Sequence, residues 1–135
     1  MADLRNQLAG RRVLILDDCE AITALLKEVF ASCGAEVTAV NCGQTALMLL
    51  QCSSFDLLLL DLVMPSPNGW DILGFLQASR PDMLGRTVVL TGDQYHHSTL
   101  QHVYQARVRA VFKPFDVERL RQAAYQIVTA ADAAA

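Results

Sequence analysis

The chain has 135 residues, 53% of them hydrophobic and 19% charged: enough apolar content for one compact domain with a full core, and too much for a disordered or fibrous protein. Eleven Lys and Arg against fourteen Asp and Glu leave a formal net charge of -3, without the positive field that nucleic acid or an anionic membrane surface demands, so neither is expected as a direct partner. No apolar run exceeds five residues, against the roughly 18 of a spanning helix, and the first dozen residues, with Asp3, Arg5, Arg11 and Arg12, lack the layout of a secretory signal; a cytoplasmic location is expected.

Two hydrophobic periods alternate along the chain. Val13 to Leu16 is a short continuous apolar run, as in a strand covered on both faces. Ile22, Leu25, Leu26, Val29 and Phe30 then make one helical stripe, which Gly34 can terminate. Glu36 to Val40 reads as the second strand and Thr45 to Gln51 as a short second helix. Four leucines, Leu57 to Leu60, followed by the turn-rich MPSPNG, read as a buried third strand. A third helix is expected to begin near Gly69 and to present Ile72, Leu73 and Leu76, with Pro81 and Gly85 marking a loop. Thr87 to Leu90 is the fourth strand, His97 to Ala106 a weakly striped fourth helix, and Ala110 to Phe112 a short fifth strand. Asp116 stands where an N-cap belongs, ahead of the stripe Leu120, Ala123, Ala124, Ile127 and Val128. Residues 1–12 read as an N-terminal tail, 13–129 as the domain, and 130–135 as a C-terminal tail or the start of a linker.

Alternating strands and helices imply a parallel sheet with helices on both faces, because parallel neighbours need crossover connections. Such sheets bind ligands at the carboxyl ends of their strands, where strand order reverses. Asp17 and Asp18 follow the first strand, Asp61 the third, Thr91 the fourth and Lys113 the fifth. Any one of these could be a cap or turn residue; together they put polar chemistry on one edge. Carboxylates within contact distance repel by about 4 kcal/mol per pair at about 4 Å and an effective dielectric of about 20. Lys113 supplies one positive charge, and the all-oxygen set Asp17, Asp18 and Asp61 suits a hard divalent cation such as Mg2+.

In VLILDD (13–18), LLLLDLVMP with Gly69 beyond it, VVLTG (88–92) and FKPF (112–115), the chain resembles the receiver domain of two-component response regulators, the family that includes the chemotaxis regulator. The resemblance implies a flavodoxin-like α/β fold, a doubly wound five-stranded parallel sheet of order 2-1-3-4-5. It implies that Asp61 accepts a phosphoryl group from a phosphohistidine of a sensor histidine kinase or phosphotransfer protein. Asp18, with Asp17 directly or through water, would hold Mg2+ together with Asp61 and the Val63 carbonyl. Lys113 and the Thr91 hydroxyl would stabilise the phosphoryl oxygens, with Gly92 leaving room. Pro65 and Gly69 would shape the loop, and Lys113–Pro114 would be a cis peptide that aims the lysine. The chain would be a signalling phosphoacceptor rather than an enzyme, acting on a downstream target protein or a missing output domain. With no output domain after residue 135, it is expected to be a stand-alone receiver or a piece of a larger regulator or hybrid kinase.

One position departs from the pattern. Three places before Lys113, where the family usually has Tyr or Phe, stands Ala110. Phe112 shares the face of Ala110, and Tyr104 lies on the preceding helix; either is a candidate to fill the space, so the switch that begins at Thr91 is expected to be a modified one. A degenerate, partner-binding receiver is the alternative. An aspartyl phosphatase would want Asp where Val63 stands, and neither GxxxxGK[ST] nor GxGxxG occurs for a nucleotide. His96, His97 and His102 read as exposed surface, Trp70 as packing or rim, and Arg107, Arg109, Arg119 and Arg121 as a solvated face. Cys19, Cys33, Cys42 and Cys52 show no CxxC spacing and read as reduced, partly buried thiols.

Overall fold

A computed structural model of the chain describes residues 6–92 and 97–134. The elements run β1 (Arg12–Leu16), α1 (Glu20–Ser32), β2 (Glu36–Val40), α2 (Gly43–Cys52), β3 (Leu57–Asp61), α3 (Gly69–Ser79), β4 (Thr87–Thr91), α4 (His97–Ala106), β5 (Arg109–Phe112) and α5 (Val117–Ala134). The strands form one parallel sheet in the flavodoxin-like order β2-β1-β3-β4-β5. Its order reverses between β1 and β3, the place where such sheets bind ligands.

Consecutive leucines in β3 follow from a sheet covered on both faces, since successive side chains point to opposite sides. Leu58 and Leu60 join Leu14, Leu16, Leu50, Ile72, Leu76 and Val103 beneath α2, α3 and α4. Leu57 and Leu59 join Val13, Ile15, Leu26, Phe30, Leu120 and Ile127 beneath α1 and α5. All four leucines are fully buried, each worth about 1.5–3 kcal/mol relative to an exposed side chain. The sheet is therefore covered on both sides.

Several boundaries differ from the sequence reading. The buried face of α1 is Thr23, Leu26 and Phe30, while Leu25 is 46% exposed; the stripe is rotated toward Thr23, whose hydroxyl is satisfied by the Asn41 amide and the Glu20 carbonyl. Pro81–Arg86, expected as a loop, is a 3-10 segment that buries Met83, whose carbonyl accepts from the Thr87 hydroxyl at 2.7 Å. Leu8, expected in a tail, is 2% exposed and joins the α1/α5 layer; its N–H donates to the Cys33 carbonyl at 2.9 Å. Gly34 follows α1 at φ 90°, a left-handed conformation that glycine adopts freely, and its carbonyl accepts from the Gly10 N–H. Residues 130–134, expected as a tail or linker start, continue α5, as alanine's high helix propensity allows, and Asp132 there pairs with Arg11. Cys33 is buried, whereas Cys19, Cys42 and Cys52 are exposed; none is in a disulfide.

Candidate functional site

Strand register sets the site. Leu16 pairs with Leu60 across β1 and β3, so Asp17 and Asp61 come next on adjacent strands. Asp61 pairs with Leu90 across β3 and β4, and Thr91 pairs with Phe112 across β4 and β5. The ladder continues one step further, where the Lys113 N–H donates to the Thr91 carbonyl at 2.7 Å. Asp17, Asp61, Thr91 and Lys113, distant in sequence, therefore end four strands on one edge, with Asp18 next to Asp17. Asp17 and Asp61 are buried there, 0% and 3% exposed, as is Thr91 at 1%, while Asp18 faces solvent. Carboxylate oxygens of Asp17, Asp18 and Asp61 all lie within 4.8 Å of one another.

From the end of β5, two strands away from β3, the long Lys113 side chain reaches across the sheet. Its Nζ donates to Asp17 Oδ2 at 2.9 Å and lies 3.4 Å from Asp61 Oδ1. Asp17 Oδ1 in turn accepts from the Cys19 N–H at 2.9 Å, and Asp61 Oδ1 from the Val63 N–H at 3.2 Å. Burial pushes the Asp61 carboxyl up to about 6, and the Asp17 charge adds to the rise; Lys113 and the Val63 N–H only partly offset them. Burial alone would lower the Lys113 ammonium, but the hydrogen bond and charge of Asp17, and then Asp61, outweigh it and hold Lys113 above its ordinary value. Three carboxylates and one ammonium leave the ionised cluster two charges short of neutrality, which one divalent cation would supply. Asp61, Val63, Gly92 and Lys113 line an open depression, so this chemistry is accessible from solvent.

The loop after β3 is tightly constrained. A Cβ on Gly69 would lie 2.3 Å from the Asp61 carbonyl oxygen and 2.5 Å from Leu62 Cα, so only glycine lets α3 begin against the backbone of the buried aspartate. Asn68 and Asp71 close a capping box: the Asn68 side chain accepts from the Asp71 N–H at 3.0 Å, and Asp71 Oδ2 accepts from the Asn68 N–H at 2.8 Å. The Lys113–Pro114 peptide is cis, as the resemblance implies, and so is Ser66–Pro67, which the sequence reading leaves unmarked. Asn41 is a further residue missed in sequence; its side chain bonds the Asp17 carbonyl from the end of β2. An Asn after a strand is common turn chemistry, and nothing local distinguishes this one.

The family model of the response regulator receiver domain matches residues 13–125. The chain belongs to that family. It is 30% identical over 117 residues to the DNA-binding transcriptional regulator NtrC of Azospirillum brasilense, a match covering 84% of this chain and 23% of that protein. To response regulator SaeR of Staphylococcus epidermidis it is 31% identical over 108 residues, 80% of this chain and 46% of SaeR. The receiver thus spans less than half the length of these relatives. Among solved structures, the CheY-like receiver domain protein of Methanospirillum hungatei JF-1 superposes with a TM-score of 0.85 at 22% identity, covering 94% of this chain and 100% of that one. The receiver domain of a Francisella response regulator gives 0.82 at 20% identity, covering 90% and 99%. At these identities the solved structures speak for the fold.

Against the receiver pattern, the residues named as a modified switch fall in different settings. Tyr104 on α4 is 84% exposed and does not fill the space beside Ala110. Ala110 packs against the core under α2, α3 and α4, and with Phe112, Pro114, Phe115 and Arg119 it lines a depression between β5 and the start of α5. Trp70 is half-buried and meets the exposed His102 edge-on, with ring centroids 5.8 Å apart. His96 and the side chain of His97 lie outside the described residues. Arg109 donates to Gln126 and Arg121 to Glu118, while Arg107 and Arg119 are exposed. Asp116 caps α5, its Oδ1 accepting from the Glu118 N–H at 2.8 Å. Among the described residues no helix is long and apolar enough to cross a membrane.

Proposed function

We propose that this receiver accepts a phosphoryl group on Asp61 from a phosphohistidine of a sensor kinase or phosphotransfer protein, and signals through phosphorylation-dependent protein contacts. The observation that carries the reading is the Lys113 ammonium, within 2.9 Å of Asp17 and 3.4 Å of Asp61 at the mouth of an open depression. With its carboxyl at about 6, Asp61 is mostly ionised at neutral pH, as a nucleophile must be. A carboxylate oxygen attacks phosphorus, the P–N bond to the donor imidazole breaks, and that nitrogen leaves with the bonding pair. Hydrolysis by water later breaks the new P–O bond and restores Asp61. Lys113 and the Thr91 hydroxyl are assigned to the equatorial oxygens, and Gly92 to leaving space beside them, since such transfer depends chiefly on preorganised positive charge.

Asp18, Asp61 and the Val63 carbonyl, with Asp17 directly or through water, fit Mg2+: the oxygen donors are hard and the cluster lacks two positive charges. When bound, the ion supplies charge neutralisation for the incoming phosphoryl oxygens. Asp17 is already held by Lys113 and the Cys19 N–H, which supports Asp18 as the more direct ligand.

The catalysis is confined to self-phosphorylation and dephosphorylation, residues 13–129 together with the Leu8 segment and the end of α5 that pack onto them form the functional unit, and the setting is the cytoplasm. A downstream protein or an output domain reads the change through the modified switch of Thr91 and Ala110. Phe112, beside Ala110, is the candidate for the inward aromatic, and Tyr104 would have to leave solvent to take that part. Incubation with acetyl phosphate and Mg2+ followed by intact mass is expected to show one added phosphoryl group, lost in Asp61→Asn and absent with chelator. No mass change in the parent would leave a partner-binding domain instead.

A further inference from the structure

The proposed ligand atoms sit on two turns, one after β1 and one after β3, and both turns touch a third place in the chain. Asn41, just past β2, directs its amide at the first turn. Its Nδ2 donates to the Asp17 carbonyl at 2.8 Å and to Thr23 Oγ1 at 2.9 Å, bridging the end of β1 to the first turn of α1 around Asp18. Thr23 is 4% exposed and its own hydroxyl donates to the Glu20 carbonyl at 3.1 Å, so the Asn41 amide meets an oriented acceptor. Gly43, two residues on, faces the other turn. A Cβ there would lie 2.0 Å from the Pro67 carbonyl oxygen, so only glycine lets the first turn of α2 touch the Val63-bearing loop backbone to backbone. Pro67 lies at the end of that loop which Gly69 and the Asn68–Asp71 capping box also hold, so the loop is clamped there from α2 and from α3.

We infer that Asn41 and Gly43 are positioning residues that set the spacing between the Asp17–Asp18 turn and the Val63-bearing loop, and thereby the affinity of the site for a divalent cation, an assignment that rests on the Mg2+ site proposed above. Asn41 is itself exposed, so water could satisfy the Asp17 carbonyl in its place. Water would not hold that carbonyl in a fixed relation to β2 and α1; the side chain does. Groups that orient metal ligands without touching the metal commonly change affinity by about 10–100-fold when removed.

The test is calorimetric titration of the full chain with Mg2+, alongside urea unfolding without metal. Asn41→Ala is expected to weaken Mg2+ binding about 10-fold, and Thr23→Val, which removes the second acceptor, to weaken it in the same direction. Gly43→Ala is expected to do likewise, and should it fail to fold, the other two variants carry the test. Ile127→Val, in the core under α1 and α5, serves as the control for stability alone and is expected to leave Mg2+ affinity unchanged. Asn41→Ala within twofold of the parent, or an equal loss in Ile127→Val, overturns the inference. A parent chain that takes up no Mg2+ overturns the site reading as well, which separates the two failures.

Discussion

Asp61→Asn isolates the electrostatic state of the site, because it removes the charge and keeps the shape. Burial and the Asp17 charge hold the Asp61 carboxyl at about 6 against its usual 3.8. Ionising it in the folded chain is therefore harder than in the unfolded one, by roughly two pH units at about 1.4 kcal/mol each, or about 3 kcal/mol. A carboxyl raised in this way destabilises the fold fully above about pH 6, progressively less as pH falls toward 4, and not at all below that, where both states hold the proton. In EDTA at pH 7.5, Asp61→Asn should thus unfold at higher urea, by up to about 3 kcal/mol or roughly 10 °C in melting temperature. The gain should shrink through pH 6–4 and vanish below. Saturating Mg2+ should narrow it by stabilising the parent. A variant no more stable than the parent at pH 7.5, or a gain undiminished at pH 4, would refute the reasoning.

Other substitutions probe separate links. Lys113→Met leaves Asp17 fully buried with only the Cys19 N–H, and breaking such a pair should cost about 3 kcal/mol or more at neutral pH; a loss under about 1 kcal/mol in urea unfolding would contradict the geometry. Gly69→Ala presses a methyl group onto the Asp61 carbonyl, so it should cost about 1–3 kcal/mol and slow labelling by acetyl phosphate, whereas an unchanged melting temperature and labelling rate would count against that contact. Leu58→Ala, under α2, α3 and α4, should cost about 2–5 kcal/mol in urea unfolding, and a value below 1 would mean that face of the sheet is not closely packed.

The sheet was legible because its signal is local: VLIL and LLLL announce strands buried on both faces, and Asp17, Asp18, Asp61, Thr91 and Lys113 each follow such a run. Once strand order is given, register alone brings those strand ends to one edge. Asn41 and Gly43 were not legible, because their partners Asp17 and Pro67 are distant in sequence and the contacts involve backbone carbonyls, which carry no residue identity. Leu8 gave no periodic signal, being a single apolar anchor in a polar segment, yet it is buried in the α1/α5 layer with Cys33 and Phe30, and its N–H donates to the Cys33 carbonyl. The Asn68–Asp71 box could have been read as an Asn followed three residues later by an acid, just before an apolar run. Thr23 in place of Leu25 on the inner face of α1 shows that a polar side chain can hold a buried position when its hydroxyl is satisfied, here by the Asn41 amide and the Glu20 carbonyl.

Asp61, among three clustered aspartates, is proposed as the residue that accepts the phosphoryl group. Phosphorylation by acetyl phosphate in Mg2+, borohydride reduction of the acyl phosphate, and peptide mapping of the product would test it most directly. Modification at residue 61 alone is expected; modification at Asp17 or Asp18, or none anywhere, would contradict the account.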